Sequence, residues 1–243
     1  MKLKLIHKEK IANDSWELMF EKPGDLAYEP GQYLEISVNQ PKPDDRGNTR
    51  WFTMSSSPTE GDIMITTRLV EKHSTFKEAL LTLLPGGEIE AKGPMGKFLL
   101  PQDPKTPIVW IAGGIGITPF RSQMKFLLDN GQKRNITLIY SNRTAGDICF
   151  ADLWQQASEQ MPNFKLVNTL VDQVPNDWKG EKGMVDESMI KRAVGDVQSK
   201  EFYVSGPEPM VEAFKPKLIA MGVEDKNIHQ DWFPNYTDEF FKV

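Results

Sequence analysis

The segment Ala112-Gly113-Gly114-Ile115-Gly116-Ile117-Thr118-Pro119 joins an apolar run, Ile108-Val109-Trp110-Ile111-Ala112, to an amphipathic one. Glycines at a strand-to-helix junction let the backbone turn tightly and approach a pyrophosphate, while the free N–H groups and dipole of the following helix favour an anion. Thr118 can cap that helix, and Pro119 suits its first turn. A glycine cluster alone is equally a ligand-free turn. Its position between a buried strand and a helix is what selects phosphate binding.

A second segment with chemical potential is Arg50-Trp51-Phe52-Thr53-Met54-Ser55-Ser56. Alternate strand residues face the same way, so Arg50 and Phe52 share a surface that offers a guanidinium to phosphate and an aromatic face to a planar ring. By itself the stretch is also an ordinary strand with an exposed arginine. Lys92-Gly93-Pro94-Met95-Gly96-Lys97-Phe98 reads as a tight turn or hairpin corner. His7, His73 and His229 have no metal-ligand spacing and no metal site is expected; His73 adjoins the Ser74 segment considered below.

Two kinds of scaffold must position these residues. From Lys2 to about Leu100 the chain consists of short alternating runs, among them Trp16-Leu18-Phe20, Tyr33 to Val38, Ile63 to Thr66 and Glu88 to Ala91. Pro23-Gly24, Pro30-Gly31, Glu60-Gly61-Asp62 and Pro85-Gly86-Gly87 separate them, the pattern of a small antiparallel barrel. One helix is expected from Ser74 to Leu84, with Phe76, Leu80, Leu83 and Leu84 on one face and Ser74 as its cap. Beyond the proline-rich connector Pro101 to Pro107, apolar strands alternate with amphipathic helices. Strands are expected at Ile108–Ala112, Ile136–Tyr140, Lys165–Leu170 and Glu201–Val204, and helices at Pro119–Asp129, Ala151–Gln160, Ser188–Ala193 and Pro209–Ala220. That alternation predicts a doubly wound parallel sheet with ligands at the strands' carboxyl ends. The domains are accordingly placed at 1–101 and 106–243.

Taken in order, the segments resemble the ferredoxin:NADP reductase family of flavoproteins over nearly the whole chain. The family's R-x-Y-[ST]-x-x-S motif is matched by Arg50, Phe52 in the tyrosine place, Thr53 and Ser56. Its S-[NT]-[FY] helix start is matched by Ser74-Thr75-Phe76, its G-P-x-G turn by Gly93-Pro94-Met95-Gly96, and its P-G-Q-[FY] strand start by Pro30-Gly31-Gln32-Tyr33. Gly113 to Pro119 looks like its nicotinamide-side glycine motif, and Ser205-Gly206-Pro207 like its C-G-P motif.

The resemblance implies a six-stranded flavin-binding barrel followed by a nicotinamide-binding α/β domain, and hydride transfer between NAD(P)H and a bound flavin. FAD is favoured over FMN. Arg50, Ser74 and Thr75 would hold the flavin pyrophosphate, Phe52 would pack on the isoalloxazine, and Thr53 would lie near its reactive nitrogen. Gly114, Gly116 and Thr118 would meet NADP or NAD. Ser205, in the place of a frequent family cysteine, and Asp231, in the place of a family glutamate, join Thr53 as expected catalytic groups. Tyr140 to Thr144 falls where the family reads the adenosine ribose, and Ser141 with Arg143 offers contacts to a 2′-phosphate; the alternative is a solvated arginine. No acidic residue stands immediately at that strand tip in the sequence. The aromatic segment Asp231 to Tyr236 either packs the last strand or, as the resemblance implies, sets Phe233 near the flavin.

Composition narrows the classes. With 39% hydrophobic and 26% charged residues and no apolar run near the ~20 residues of a membrane helix, a cytoplasmic enzyme is expected. A net charge of −5 without a basic stripe argues against nucleic acid. Cys149, the single cysteine, cannot ligate an iron-sulfur cluster by itself, so any cluster belongs to a redox partner such as ferredoxin, flavodoxin or an oxygenase component. Two rivals remain at this point: an electron-transfer subunit of a larger complex, and a noncatalytic dinucleotide-binding redox sensor.

Overall fold

The computed structural model describes residues 1–40, 42–71 and 73–233, with Phe233 by its backbone alone. It divides into two compact units, Met1–Leu99 with Thr118–Phe126, and Leu100–Ile117 with Leu127–Val243.

In the first unit, six strands form one antiparallel sheet: β1 (Lys2–Lys10), β2 (Ser15–Glu21), β3 (Tyr33–Ser37), β4 (Thr49–Thr53), β5 (Asp62–Arg68) and β6 (Glu88–Met95). Their order is β4-β3-β6-β1-β2-β5, and a bridge from Met54 to Ile65 ties the two edges together. Alternation decides what goes inside: Leu3, Leu5, Leu18, Phe20, Leu34 and Ile36 are all buried in one cluster. Helix α1 (Thr75–Thr82) plugs it with Phe76 and Leu80, and Ser74 caps its start by accepting from the Lys77 N–H. The helix stops short of the expected Leu84, which is 71% exposed and not part of its apolar face. Gly93-Pro94 also departs from expectation. It lies within β6, where the pairing with β3 shifts register between Tyr33 and Glu35, rather than at a hairpin corner.

The second unit holds a parallel sheet of β7 (Ile108–Gly113), β8 (Ile136–Asn142), β9 (Phe164–Leu170), β10 (Glu181–Lys182), β11 (Glu201–Pro207) and β12 (Ile228–Phe233). The order is β10-β9-β8-β7-β11-β12. The chain therefore reverses direction of travel at β7, whose neighbours are β8 and β11, and the loops after β7 and β11 face each other across the topological switch point. Helix α2 (Thr118–Asp129), which follows β7 along the chain, counts with the first unit as far as Phe126, while α3 (Ala151–Gln160), α4 (Glu187–Val194) and α5 (Glu208–Ala220) belong to this unit. The two-residue β10 has no periodicity to announce it, which is why sequence reading passes over it.

The switch point dictates one glycine outright. A Cβ on Gly116 would overlap the Ser205 carbonyl and come within 2.6 Å of the Gly206 Cα, both backbone positions that cannot swing away. Gly116→Ala should therefore cost about 1–3 kcal/mol in denaturant unfolding. Gly61→Ala, where nothing lies within 4 Å, should be close to neutral.

Candidate functional site

On the barrel unit, strand alternation brings Arg50 and Phe52 to the same aromatic ring. The Arg50 guanidinium lies 5.1 Å over Phe76, and Phe52 stacks on Phe76 at 5.9 Å with an interplanar angle of 21°. Trp51 points the other way, 54% exposed. Because Phe76 belongs to the first turn of α1, the same cluster draws in that helix's N-terminus, where the leading N–H groups lack intrahelical acceptors. Ser74 and Thr75 flank it. Ser74 accepts one hydrogen bond and keeps its own O–H as a donor, and Thr75 is exposed. A guanidinium, two hydroxyls and a helix N-terminus beside stacked aromatics are a donor set suited to a diphosphate joined to a planar ring, so the residues fit a flavin dinucleotide.

Other expected flavin residues are placed differently. Thr53 ends β4 and is buried, paired across from Tyr33. Gly96 lies against the Tyr33 ring, and Gly93 against Leu34. Ser56 is fully engaged inside the unit: its hydroxyl meets Tyr28 at 3.0 Å and accepts the Met64 N–H, and its carbonyl accepts from Ser122 at 2.6 Å. Its hydroxyl and carbonyl are thus committed to protein partners, with Arg121 bonding Ser55 and Glu60 beside it.

On the parallel-sheet unit, the glycines of the switch-point turn divide by environment. Gly113 and Gly116 are crowded, whereas Gly114 has φ +50 and nothing within 4 Å of where a Cβ would stand. A left-handed backbone bordered by open space is what close approach of a phosphate requires. Thr118, expected as a cap, is instead the first residue of α2 and buried; a 3-10 turn, Gly114–Ile117, leads into it. Gly206 and Pro207 end β11 and are buried beside that turn.

Ser205 and Asp231 stand directly opposite one another on β11 and β12, and the Ser205 hydroxyl donates to Asp231 Oδ2 at 3.4 Å. Burial pushes the Asp231 carboxyl up to about 7, and the Ser205 bond only partly offsets it. A carboxyl that titrates near neutrality at the carboxyl end of the sheet can hold a proton or release it. The Phe233 side chain lies outside the described residues.

At the end of β8, Ser141 is buried within the strand and Arg143 is the first residue beyond it. Sequence reading found no acid at this tip, and the fold supplies one. Asp172, just past the end of β9, pairs with Arg143 at 3.5 Å, its backbone N–H bonding the Arg143 carbonyl at 2.8 Å. The signal for it is present but indirect: once β8 and β9 are taken as neighbours, an acidic residue after either belongs to the same edge.

Comparison with known proteins bears on both units. Residues 2–99 match the oxidoreductase FAD-binding domain and residues 110–215 the oxidoreductase NAD-binding domain. The chain is thus built from an oxidoreductase FAD-binding domain and an oxidoreductase NAD-binding domain. It is 25% identical over 232 residues to the glycine betaine monooxygenase reductase subunit of Chromohalobacter salexigens, covering 92% of this chain and 62% of that protein. It is 30% identical over 218 residues to the reductase component of propane 2-monooxygenase from Mycolicibacterium goodii, covering 87% and 60%. It thus spans less than two thirds of the length of these relatives. Its fold matches a crystal structure of an Amycolatopsis cytochrome P450 reductase with TM-score 0.83 and 24% identity, over 96% of this chain and 70% of that one. No helix among the described residues is long and apolar enough to cross a membrane.

The raised carboxyl sets a pH dependence. A folded-state value above the ordinary 3.8 means that the stability tied to neutral Asp231 is fully present below about pH 4 and is lost as pH rises through about 7. Asp231→Asn should flatten that decline and exceed the wild type in stability at pH 8 by about 2–4 kcal/mol. Urea unfolding across the pH range reads it, and parallel curves for the two proteins would refute the buried carboxyl.

Proposed function

We propose that this protein is an NAD(P)H-dependent reductase that takes hydride onto bound FAD and passes electrons to a protein acceptor, of the ferredoxin, flavodoxin or oxygenase-component kind. The observation that carries the reading is the convergence of Arg50, Phe52 and the α1 N-terminus on Phe76, a diphosphate-and-ring donor set in a chain that also holds a glycine turn at the switch point of a parallel sheet. The relatives support it, being named as reductase subunits and components of oxygenases. The same names favour a second reading in which the chain works as the electron-transfer subunit of an assembly; it differs in the acceptor and not in the flavin chemistry. The functional domains are placed at 1–101 and 106–243.

When bound, FAD supplies the hydride acceptance and electron release that no side chain here provides. The chain's own residues bind, orient and shuttle protons. Arg50, Ser74 and Thr75 would hold the flavin diphosphate, with Phe52, Thr53, Gly93 and Gly96 on the flavin ring's side of the site. Gly114, Gly116 and Thr118 bring the backbone to the nicotinamide coenzyme's diphosphate, with the N-terminus of α2 favouring its charge. Ser205, Gly206 and Pro207 bound the other end of that site. Asp231 keeps a proton near neutral pH and fixes the Ser205 hydroxyl, while Phe233 belongs to the same strand end. Ser141 and Arg143 face the adenosine ribose.

Purified protein reconstituted with FAD should be yellow and should bleach under anaerobic NADH or NADPH. A bound flavin that neither coenzyme reduces would leave the sensor reading standing. Coenzyme choice should turn on the Arg143 and Asp172 pair. Arg143→Ala should raise KM for NADPH more than for NADH, by roughly 1–3 kcal/mol in kcat/KM. Asp172→Asn should move preference the opposite way, because a carboxylate at the ribose edge repels a 2′-phosphate. Equal effects on both coenzymes would make the pair a surface ion pair only.

A further inference from the structure

The donors assigned to the flavin diphosphate already hold an anion of the chain's own. Asp44, in the turn before β4, takes the Arg50 Nη2 donor on Oδ1 at 2.6 Å, and its backbone N–H donates to the Thr75 hydroxyl oxygen at 3.1 Å. Arg50 Nη1 reaches back to the carbonyls of Arg46, Gly47 and Thr49 at 2.8, 3.1 and 2.7 Å. The turn is thereby laced across both Arg50 and the first residue of α1.

This is not a loose surface bridge, since the Arg50 and Asp44 side chains are only 17% and 19% exposed. Burial opposes the charge on Asp44, but the Arg50 bond and the Arg46 N–H outweigh it and hold the carboxyl below its ordinary range. The carboxylate is also incompletely satisfied. Its Oδ2 is buried without a hydrogen-bond partner, although the Arg46 guanidinium stands 3.7 Å away. With Nη1 facing three carbonyls, any further acceptor must use Nη2 or Nε, and Nη2 is where Asp44 sits.

We propose that Asp44 is a built-in competitor of the flavin diphosphate, its carboxylate occupying the Arg50 donor and its backbone N–H tying the turn to the Thr75 hydroxyl, so that FAD binds by displacing the 43–48 turn. The inference rests on the reading that Arg50 and the α1 N-terminus hold that diphosphate. Two anions on one guanidinium in a mostly dry site repel, and the carboxylate must leave or the diphosphate bind weakly. Cofactor affinity is then set by the charge of a loop as well as by the donors beneath it.

The test titrates the full-length chain, stripped of flavin, with FAD and separately with riboflavin, following the quenching of flavin fluorescence. Asp44→Asn, which keeps the shape and removes the charge, should tighten FAD about tenfold while leaving riboflavin unchanged, because only FAD carries the diphosphate. The flavin-free variant should also melt below the wild type, having lost the partner of Arg50. FAD binding equal to or weaker than wild type in Asp44→Asn overturns the competition and makes Asp44 a residue that orients Arg50. Equal tightening of riboflavin overturns it too, by showing a general loosening of the loop. Arg50→Ala separates the layers: unchanged FAD affinity there would remove the diphosphate reading itself, whereas weakened FAD with an unresponsive Asp44→Asn would remove the competition alone.

Discussion

Backbone lies against backbone where the turn after β7 meets the end of β11, and the chemistry of the parallel-sheet unit depends on that approach. Gly116 has no room for a single methyl group because the Ser205 carbonyl and the Gly206 Cα are already there. The contact holds the turn low over the sheet, and Gly114, two residues earlier, is left bordering open space in a left-handed conformation that only glycine adopts cheaply. It also seals Ser205 completely, so Asp231 across the strand is paired to a hydroxyl that water does not reach. The carboxyl is raised by its own burial, against the pull of the Ser205 bond.

Much of this was legible from residue types. The identity of α3 as Ala151–Gln160 follows from its 3.6-residue period, and the shared face of Arg50 and Phe52 follows from strand alternation, since both are local rules that tertiary contacts here reinforce. The glycines were legible as a group but not individually, because the sequence does not distinguish a glycine required by a neighbouring carbonyl from one required by a ligand. Ser56 illustrates the same blindness: a serine matching a binding motif is bonded instead to Tyr28, Met64 and Ser122, partners that only folding brings near.

Acidic partners were the least legible feature. Asp44 and Asp172 reach Arg50 and Arg143 through loop closure and strand order, and neither has a spacing that announces the pair. Both arginines assigned to phosphates are therefore met by carboxylates of the same chain. In each case the fold sets a guanidinium against a carboxylate, a pairing that any incoming phosphate would have to displace.

Residues Thr118–Phe126 of α2 count with the barrel, and several of its polar groups bond to them. Ser122 takes the Ser56 carbonyl, Gln123 donates to the Phe98 carbonyl at 2.8 Å, and Arg121 neutralises the Glu60 carboxylate. The barrel is thus discontinuous along the chain, completed only after β7 has been made. During synthesis, residues 1–99 emerge before the helix that donates to the Ser56 and Phe98 carbonyls and pairs with Glu60, so those three groups have only water for partners until α2 follows.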